Sequence, residues 1–338
     1  MHTILSVFAL ALVRSAEWDY KTNGADWPDL VLDGNKCGGD NQSPIDLPKR
    51  VAESQMISPA EDNFQKMYSD QLVDIEVAWN GHTSQTSVLK DSPQIFSSRH
   101  VFNEWDGPMR FEGQQFHFHS GSEHTVAGSR FDLEMHTVHY PQADSTPNGD
   151  DSEFIAAAMG IIFDTRKYDE GIENWQLDVI DNFFDNLKWE ETGGNPKVEE
   201  VSYGELMMMV NMDTRWVYKG SVTTPPCATT VYWNVCRTVY PIQQKHLDLF
   251  LNQLGRKENL RNYGNYREIQ ETTDKHDVMI IDYPKGDMGL DDEGSEVGWE
   301  IATVILGVLS GAMFVVTICF AMRMAKTQAS RESQYAEK

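Results

Sequence analysis

Between Leu72 and Tyr240 the chain is cut into short β-rich runs bounded by Gly, Asn, Asp and Pro: LVDIEVAW, QFHFHS, LEMHTVHY, FIAAAMGIIF, WVYKGSV and TTVYWNV. Runs of this length and spacing make strands dominate, with a few peripheral helices. Alternation is clearest at Gln115–His119 and Glu134–Val138. Helical periodicity appears twice, at Ile172–Leu187 (Ile172, Trp175, Val179, Ile180, Phe183, Leu187) and at Pro241–Leu254. The expected fold is mainly β (α+β): one domain around a large, twisted, mostly antiparallel sheet with peripheral helices.

Both ends stand apart from that domain. Ile4–Val13 is apolar and leads into small residues up to Ala16, a pattern of a secretory signal over 1–16, although no basic segment precedes it. Trp299–Met322 carries one charge, Glu300, and at ~1.5 Å per residue can cross a ~30 Å hydrocarbon layer. Acidic residues precede it and Arg323, Lys326, Arg331 and Lys338 follow, so the basic side stays cytoplasmic. The expected order is signal 1–16, catalytic or binding domain 17–283, acidic stalk 284–298, transmembrane helix 299–322 and cytoplasmic tail 323–338. This describes a single-pass type I membrane protein whose domain faces the cell exterior or a secretory-pathway lumen. Ala143–Ser152 reads as an exposed acidic loop.

The full chain of 338 residues carries a net charge of −24. Between Glu17 and Glu300, 23 basic residues face 50 acidic ones, about −27. Such a surface repels phosphate backbones and excludes nucleic acid as a partner. Of Cys37, Cys227, Cys236 and Cys319, the last lies in the apolar C-terminal run. In an oxidising compartment the other three give one disulfide and one buried thiol.

The histidines give the chemistry. Residues two apart on a strand share a face, so His117 and His119 project together with Gln115 one rung before them, and Glu134, His136 and Val138 do the same. If the two strands pair, three imidazoles meet, which leaves the fourth position of a tetrahedral zinc open. A His-x-His pair alone more often marks an ordinary β face than a metal site. The third histidine, with Gln115 and Glu134 able to hold outer ring nitrogens, favours the metal. The His-Glu-x-x-His of helical zinc proteases is absent.

QFHFHSGSEHTV and LEMHTVHY, with NQSPIDL at Asn41–Leu47 and SVTTPP at Ser221–Pro226, resemble the α-class carbonic anhydrases. WDYKTNGADW, WNGH at Trp79–His82, VYWNV and NYR at Asn265–Arg267 agree, and the resemblance runs from about Trp18 to Tyr283. It is to the membrane-anchored extracellular type. The short gap between His119 and His136 is similar to that of algal, plant and bacterial members. The resemblance implies a zinc enzyme that reversibly hydrates carbon dioxide to bicarbonate, with His117, His119 and His136 as ligands and water activated near pH 7. It implies Thr223 and Glu123 as the pair orienting the nucleophile, and Gln115, Glu134 and the Asn265 carbonyl as partners of the ligands. Val138, Ala158, Val222, Val231, Trp233 and Thr224 would line the substrate pocket, widened by the alanine. His82 would carry protons out, with Tyr20 ordering the water chain. His124 and His139 have no direct role in this scheme. Cys37 and Cys227 would form the disulfide, worth about 2–5 kcal/mol, leaving Cys236 buried and unpaired. Partners would be carbon dioxide, bicarbonate and the membrane, and a homodimer is compatible with the sequence. Two other readings stand beside the enzyme: an inactive binding or adhesion module on the same fold, and an esterase or other zinc hydrolase.

Overall fold

The structure, a computed structural model, describes residues 17–69, 71–88, 94–99, 108–142, 154–167, 172–191 and 195–283. The expected signal, acidic loop, stalk, transmembrane helix and tail lie outside the described residues. Among the described residues no helix is long and apolar enough to cross a membrane.

The strands are β1 (Asp46–Leu47), β2 (Met56–Ile57), β3 (Gln65–Tyr68), β4 (Leu72–Trp79), β5 (Ser84–Ser87), β6 (Gln94–Ser98), β7 (Met109–His119), β8 (Thr125–Val126), β9 (Leu133–Pro141), β10 (Ala156–Asp164), β11 (Lys197–Val201), β12 (Arg215–Ser221), β13 (Thr229–Cys236), β14 (Tyr240–Pro241) and β15 (Met279–Ile281). Among the described residues thirteen of them join one sheet, whose main path runs β11-β4-β5-β7-β9-β10-β13-β12-β15-β2. Most neighbours are antiparallel; β10 pairs β13 and β14 in parallel, and β15 pairs β2 in parallel. All six β-rich runs of the sequence fall on strands. The histidine-bearing run begins earlier than its pattern suggests, at Met109.

Alternation along β10 and β13 sends side chains into two apolar layers, one on each side of the sheet. Ala157, Met159, Ile161 and Phe163 with Tyr232 and Cys236 join the larger layer. Ala158, Ile162, Val231, Trp233 and Val235 join a smaller one with Ile45, Leu47, Trp216 and Tyr218. The helices Asn174–Asn186 and Gln244–Leu254 cover the larger layer, burying Ile180, Phe183 and Phe184 from one and Leu247, Phe250 and Leu254 from the other. Trp175 departs from the expected stripe. It lies in the first turn, is 53% exposed, and its indole donates to Glu173 Oε2 at 2.7 Å. A polar partner at the helix start suits the amphipathic indole better than the core does.

Within β7 an irregularity between Gly113 and Gln115 leaves Gln114 out of the pairing with β9. One extra residue inverts the parity of everything after it. Phe111 before the bulge and Phe116 and Phe118 after it therefore all enter the larger layer. Gln115, His117 and His119 are left to the opposite face.

Candidate metal centre

In the pairing of β7 with β9, His117 stands directly opposite His136, and His119 lies two residues further along β7. Their ring centroids are 5.0, 5.3 and 4.6 Å apart, and one nitrogen from each ring lies within 4.8 Å of the others. The other nitrogen of each ring is occupied. His117 Nδ1–H donates to Gln115 Oε1 at 2.8 Å, His119 Nδ1–H to the Asn265 carbonyl at 2.6 Å, and His136 Nε2–H to Glu134 Oε1 at 3.0 Å. These bonds leave Nε2, Nε2 and Nδ1 to face one another. His119 Nε2 is buried with no hydrogen-bond partner. A buried acceptor without a donor is costly unless a cation takes it. Three neutral nitrogen donors with one coordination place left over fit zinc.

Burial pushes His117 well below the ordinary histidine range, helped by the charge of His119 and His136 when these are protonated. Burial also lowers His119, against the opposing pull of Glu123. At His136 burial acts in the same downward direction, but Glu134 outweighs it and the net shift is upward. That basicity makes His136 a strong donor, with a cation and a proton competing for Nδ1. Glu134 stays ionised: burial raises its pKa, but His124 and His136 together draw it well below the usual carboxylate value. Its oxygens take the His124 backbone N–H at 2.8 Å and the His124 ring at 2.7 Å, and the His124 ring reaches the Tyr218 hydroxyl at 2.7 Å. Gly160 makes room for this carboxylate, since a Cβ there would sit 2.7 Å from Glu134 Oε1. His124, for which the sequence suggests no direct role, thus helps fix the carboxylate that holds His136.

Glu123 is fully buried beside the rings. Oε1 accepts the Arg267 backbone N–H at 2.8 Å, and Oε2 has no hydrogen-bond partner. Thr223 is buried in the turn between β12 and β13, and no hydrogen bond joins it to Glu123 in this structure. The disulfide Cys37–Cys227 is present, four residues beyond Thr223, and Cys236 is free and buried. Val138 on β9 stands opposite Ala158 on β10, which stands opposite Trp233 on β13. The Trp233 ring lies 4.8 Å from His136, so the apolar strip abuts the imidazoles. Val231 belongs to the same buried layer, Thr224 is half-buried, and Val222 is 36% exposed.

His82 lies in the β4–β5 connection, where its backbone carbonyl accepts from Asn265 Nδ2 at 3.0 Å. Its ring stacks on Trp18 at 3.9 Å and 10°, with Tyr20 edge-on at 6.1 Å. Burial lowers its pKa, Asp19 opposes that, and Lys257 adds to it. Tyr20 is buried, which together with the charge of Glu123 keeps its proton on far into alkali. Trp18 and Lys257 are neighbours of His82 to which the sequence assigns no role, and Arg267, quoted there only within NYR, holds Glu123. Trp18 lies in the quoted WDYKTNGADW segment, the one place its role could have been sought.

A family model described as eukaryotic-type carbonic anhydrase matches residues 22–279. Carbonic anhydrase 6 of Mus musculus is 27% identical over 282 residues, covering 79% of this chain and 82% of the relative. Carbonic anhydrase 12 of Homo sapiens is 27% identical over 297 residues, covering 80% and 77%. A solved hyperthermostable carbonic anhydrase identified from an active hydrothermal vent chimney aligns with a TM-score of 0.55 at 26% identity, over 79% of this chain and all of that one. The chain belongs to the eukaryotic-type carbonic anhydrase family.

Proposed function

We propose that the protein is a zinc-dependent carbonic anhydrase that interconverts carbon dioxide and bicarbonate at the extracellular or lumenal face of a membrane. The observation that carries this reading is the set of three imidazoles, each tied through one nitrogen and turning the other toward a common point. Zinc bound by His117, His119 and His136 supplies a Lewis acid that lets water lose its proton near neutral pH.

The chain's own residues do the rest. Thr223 orients the nucleophile, and Glu123, held at Oε1, offers Oε2 to accept a hydrogen bond from the threonine hydroxyl. Val138, Ala158, Val231 and Trp233, with Val222 and Thr224 at the mouth, hold the apolar substrate beside the nucleophile. His82 takes the surplus proton outward, a task that suits an imidazole only part buried, and Tyr20 stays protonated to order the water between. Gln115, Glu134 and Asn265 keep the three ligand rings in one tautomer and one orientation.

An inactive binding module would have no need of three conjoined imidazoles with outer partners. That is why the enzyme is preferred. The disulfide Cys37–Cys227 supports placement in an oxidising compartment, and the apolar run 299–322 supports a single membrane anchor.

The test is stopped-flow carbon dioxide hydration by the purified full chain. Hydration should vanish with a strong chelator and return with zinc. A chain fully loaded with zinc that does not accelerate hydration would contradict the proposal.

A further inference from the structure

The segment Asn265–Arg267 lies outside every helix and strand, yet it touches most of the site. The Asn265 carbonyl holds His119, and its side-chain oxygen accepts the Ser120 N–H at 2.8 Å. Its amide nitrogen donates to the carbonyls of Phe118 at 2.8 Å and His82 at 3.0 Å. Two residues on, the Arg267 N–H holds Glu123. A strap without ladder hydrogen bonds keeps such geometry only if something else fixes it.

The Arg267 side chain, 1% exposed, is the fixing group. One terminal nitrogen donates to Gln42 Oε1 at 2.9 Å and to the Ser43 carbonyl at 2.8 Å, and the other to the Cys37 carbonyl at 2.8 Å. Those acceptors belong to the segment that brackets the Thr223 turn. Cys37 is disulfide-bonded to Cys227 after the turn, and Ser43 exchanges two hydrogen bonds with Ser221 before it, at 2.9 and 3.0 Å. One guanidinium therefore joins the strap that holds Glu123 to the segment that holds Thr223. Its acceptors are neutral oxygens, so a full charge has been buried without a hydrogen-bonded carboxylate. Packing alone would be served better by an apolar side chain.

We infer that Arg267 is a positioning residue for the reaction: its planar fork sets Glu123 relative to Thr223, and so the orientation of the attacking oxygen. Lysine cannot reproduce this, having one point charge in place of two divergent donor arms. The inference rests on the carbonic anhydrase reading.

The experiment compares the full chain, purified in detergent, with R267K and R267M. Each is loaded with cobalt and measured by stopped flow and by the pH titration of its visible spectrum. Misplacement of an orienting group by about 1 Å can cost ~100-fold. R267M is expected to lose ~10–100-fold in kcat/KM per metal-loaded molecule, with a smaller change in kcat, because the strap grips His82 only at its backbone carbonyl and leaves the ring to Trp18. The midpoint of its cobalt spectrum should be displaced, and R267K should fall between R267M and wild type. If R267M fails to fold, R267K decides on the same readouts. Variants that keep the wild-type kcat/KM per loaded molecule and the wild-type midpoint, with only a lower melting temperature, overturn the inference while leaving the enzyme reading intact. A wild-type chain that binds cobalt or zinc but does not hydrate carbon dioxide overturns both.

Discussion

The proposed metal centre and the proposed proton exit use the same side chain under opposite conditions. His117, His119 and His136 stand on two adjacent strands, each with one nitrogen tied to Gln115, the Asn265 carbonyl or Glu134. His82 sits in a strand connection; its ring rests against Trp18, and its Nδ1 has no hydrogen-bond partner. Each of the first three has one ring nitrogen tied, which fits the proposed ligand role, since a ligand must present one lone pair at one place. The fourth is held by stacking with its Nδ1 unpaired, which suits the proposed carrier, whose ring gains and loses a proton each cycle. On the proposed assignment, environment and not residue type separates ligand from shuttle.

Breaking the rigid side should cost most. His136→Ala removes the most basic of the three donors, and purified protein should lose its metal and all hydration above the uncatalysed rate. Retained metal and activity would mean the ion sits elsewhere. On the stacked side, His82→Ala should lower kcat by ~100-fold or more while kcat/KM changes little, with rescue by added imidazole buffer. A parallel fall in both constants would assign His82 to attack instead of proton exit.

Glu134→Gln tests how far the rigidity reaches behind the ligands. It keeps the shape but removes the charge that binds both His124 and His136, and metal affinity should fall ~10–100-fold in a chelator competition. Unchanged affinity would reduce Glu134 to a packing role.

The smallest effects concern the titration of His82. Its pKa lies below the ordinary value because burial disfavours the charged ring, Asp19 opposing and Lys257 reinforcing. Hydration needs the neutral ring, so kcat rises with pH through this midpoint. Asp19→Asn removes an attraction for the cation and should move the midpoint down, and Lys257→Gln removes a repulsion and should move it up. Shifts of the opposite sign, read from kcat against pH, would place another group in the role.

Much of the rigid side was legible in the sequence. Period-two spacing puts His117 with His119 and Glu134 with His136, and the β-branched and aromatic runs mark β4, β7, β9, β10, β12 and β13. The bulge at Gln114 was not legible, although it decides which face of β7 carries the histidines; one extra residue has no compositional signature. Asn265 holds His119 from 146 positions away, so only the family resemblance could supply it. Short strands such as β2 and β15 hold too few residues to show a pattern. The stacking of Trp18 on His82 arises from tertiary closure and leaves no local trace. Trp175 shows the reverse case, a position on the apolar stripe that the fold leaves outside.

The claim on which all of this depends is that three imidazoles share one ion and leave it a place for solvent. X-ray absorption on the zinc-loaded full chain tests it directly. The account predicts one equivalent of zinc, four-coordinate, with three imidazole nitrogens at about 2.0–2.1 Å and one further light ligand. A sulfur ligand, a fourth protein ligand in place of solvent, or no bound metal at one equivalent of zinc would contradict it.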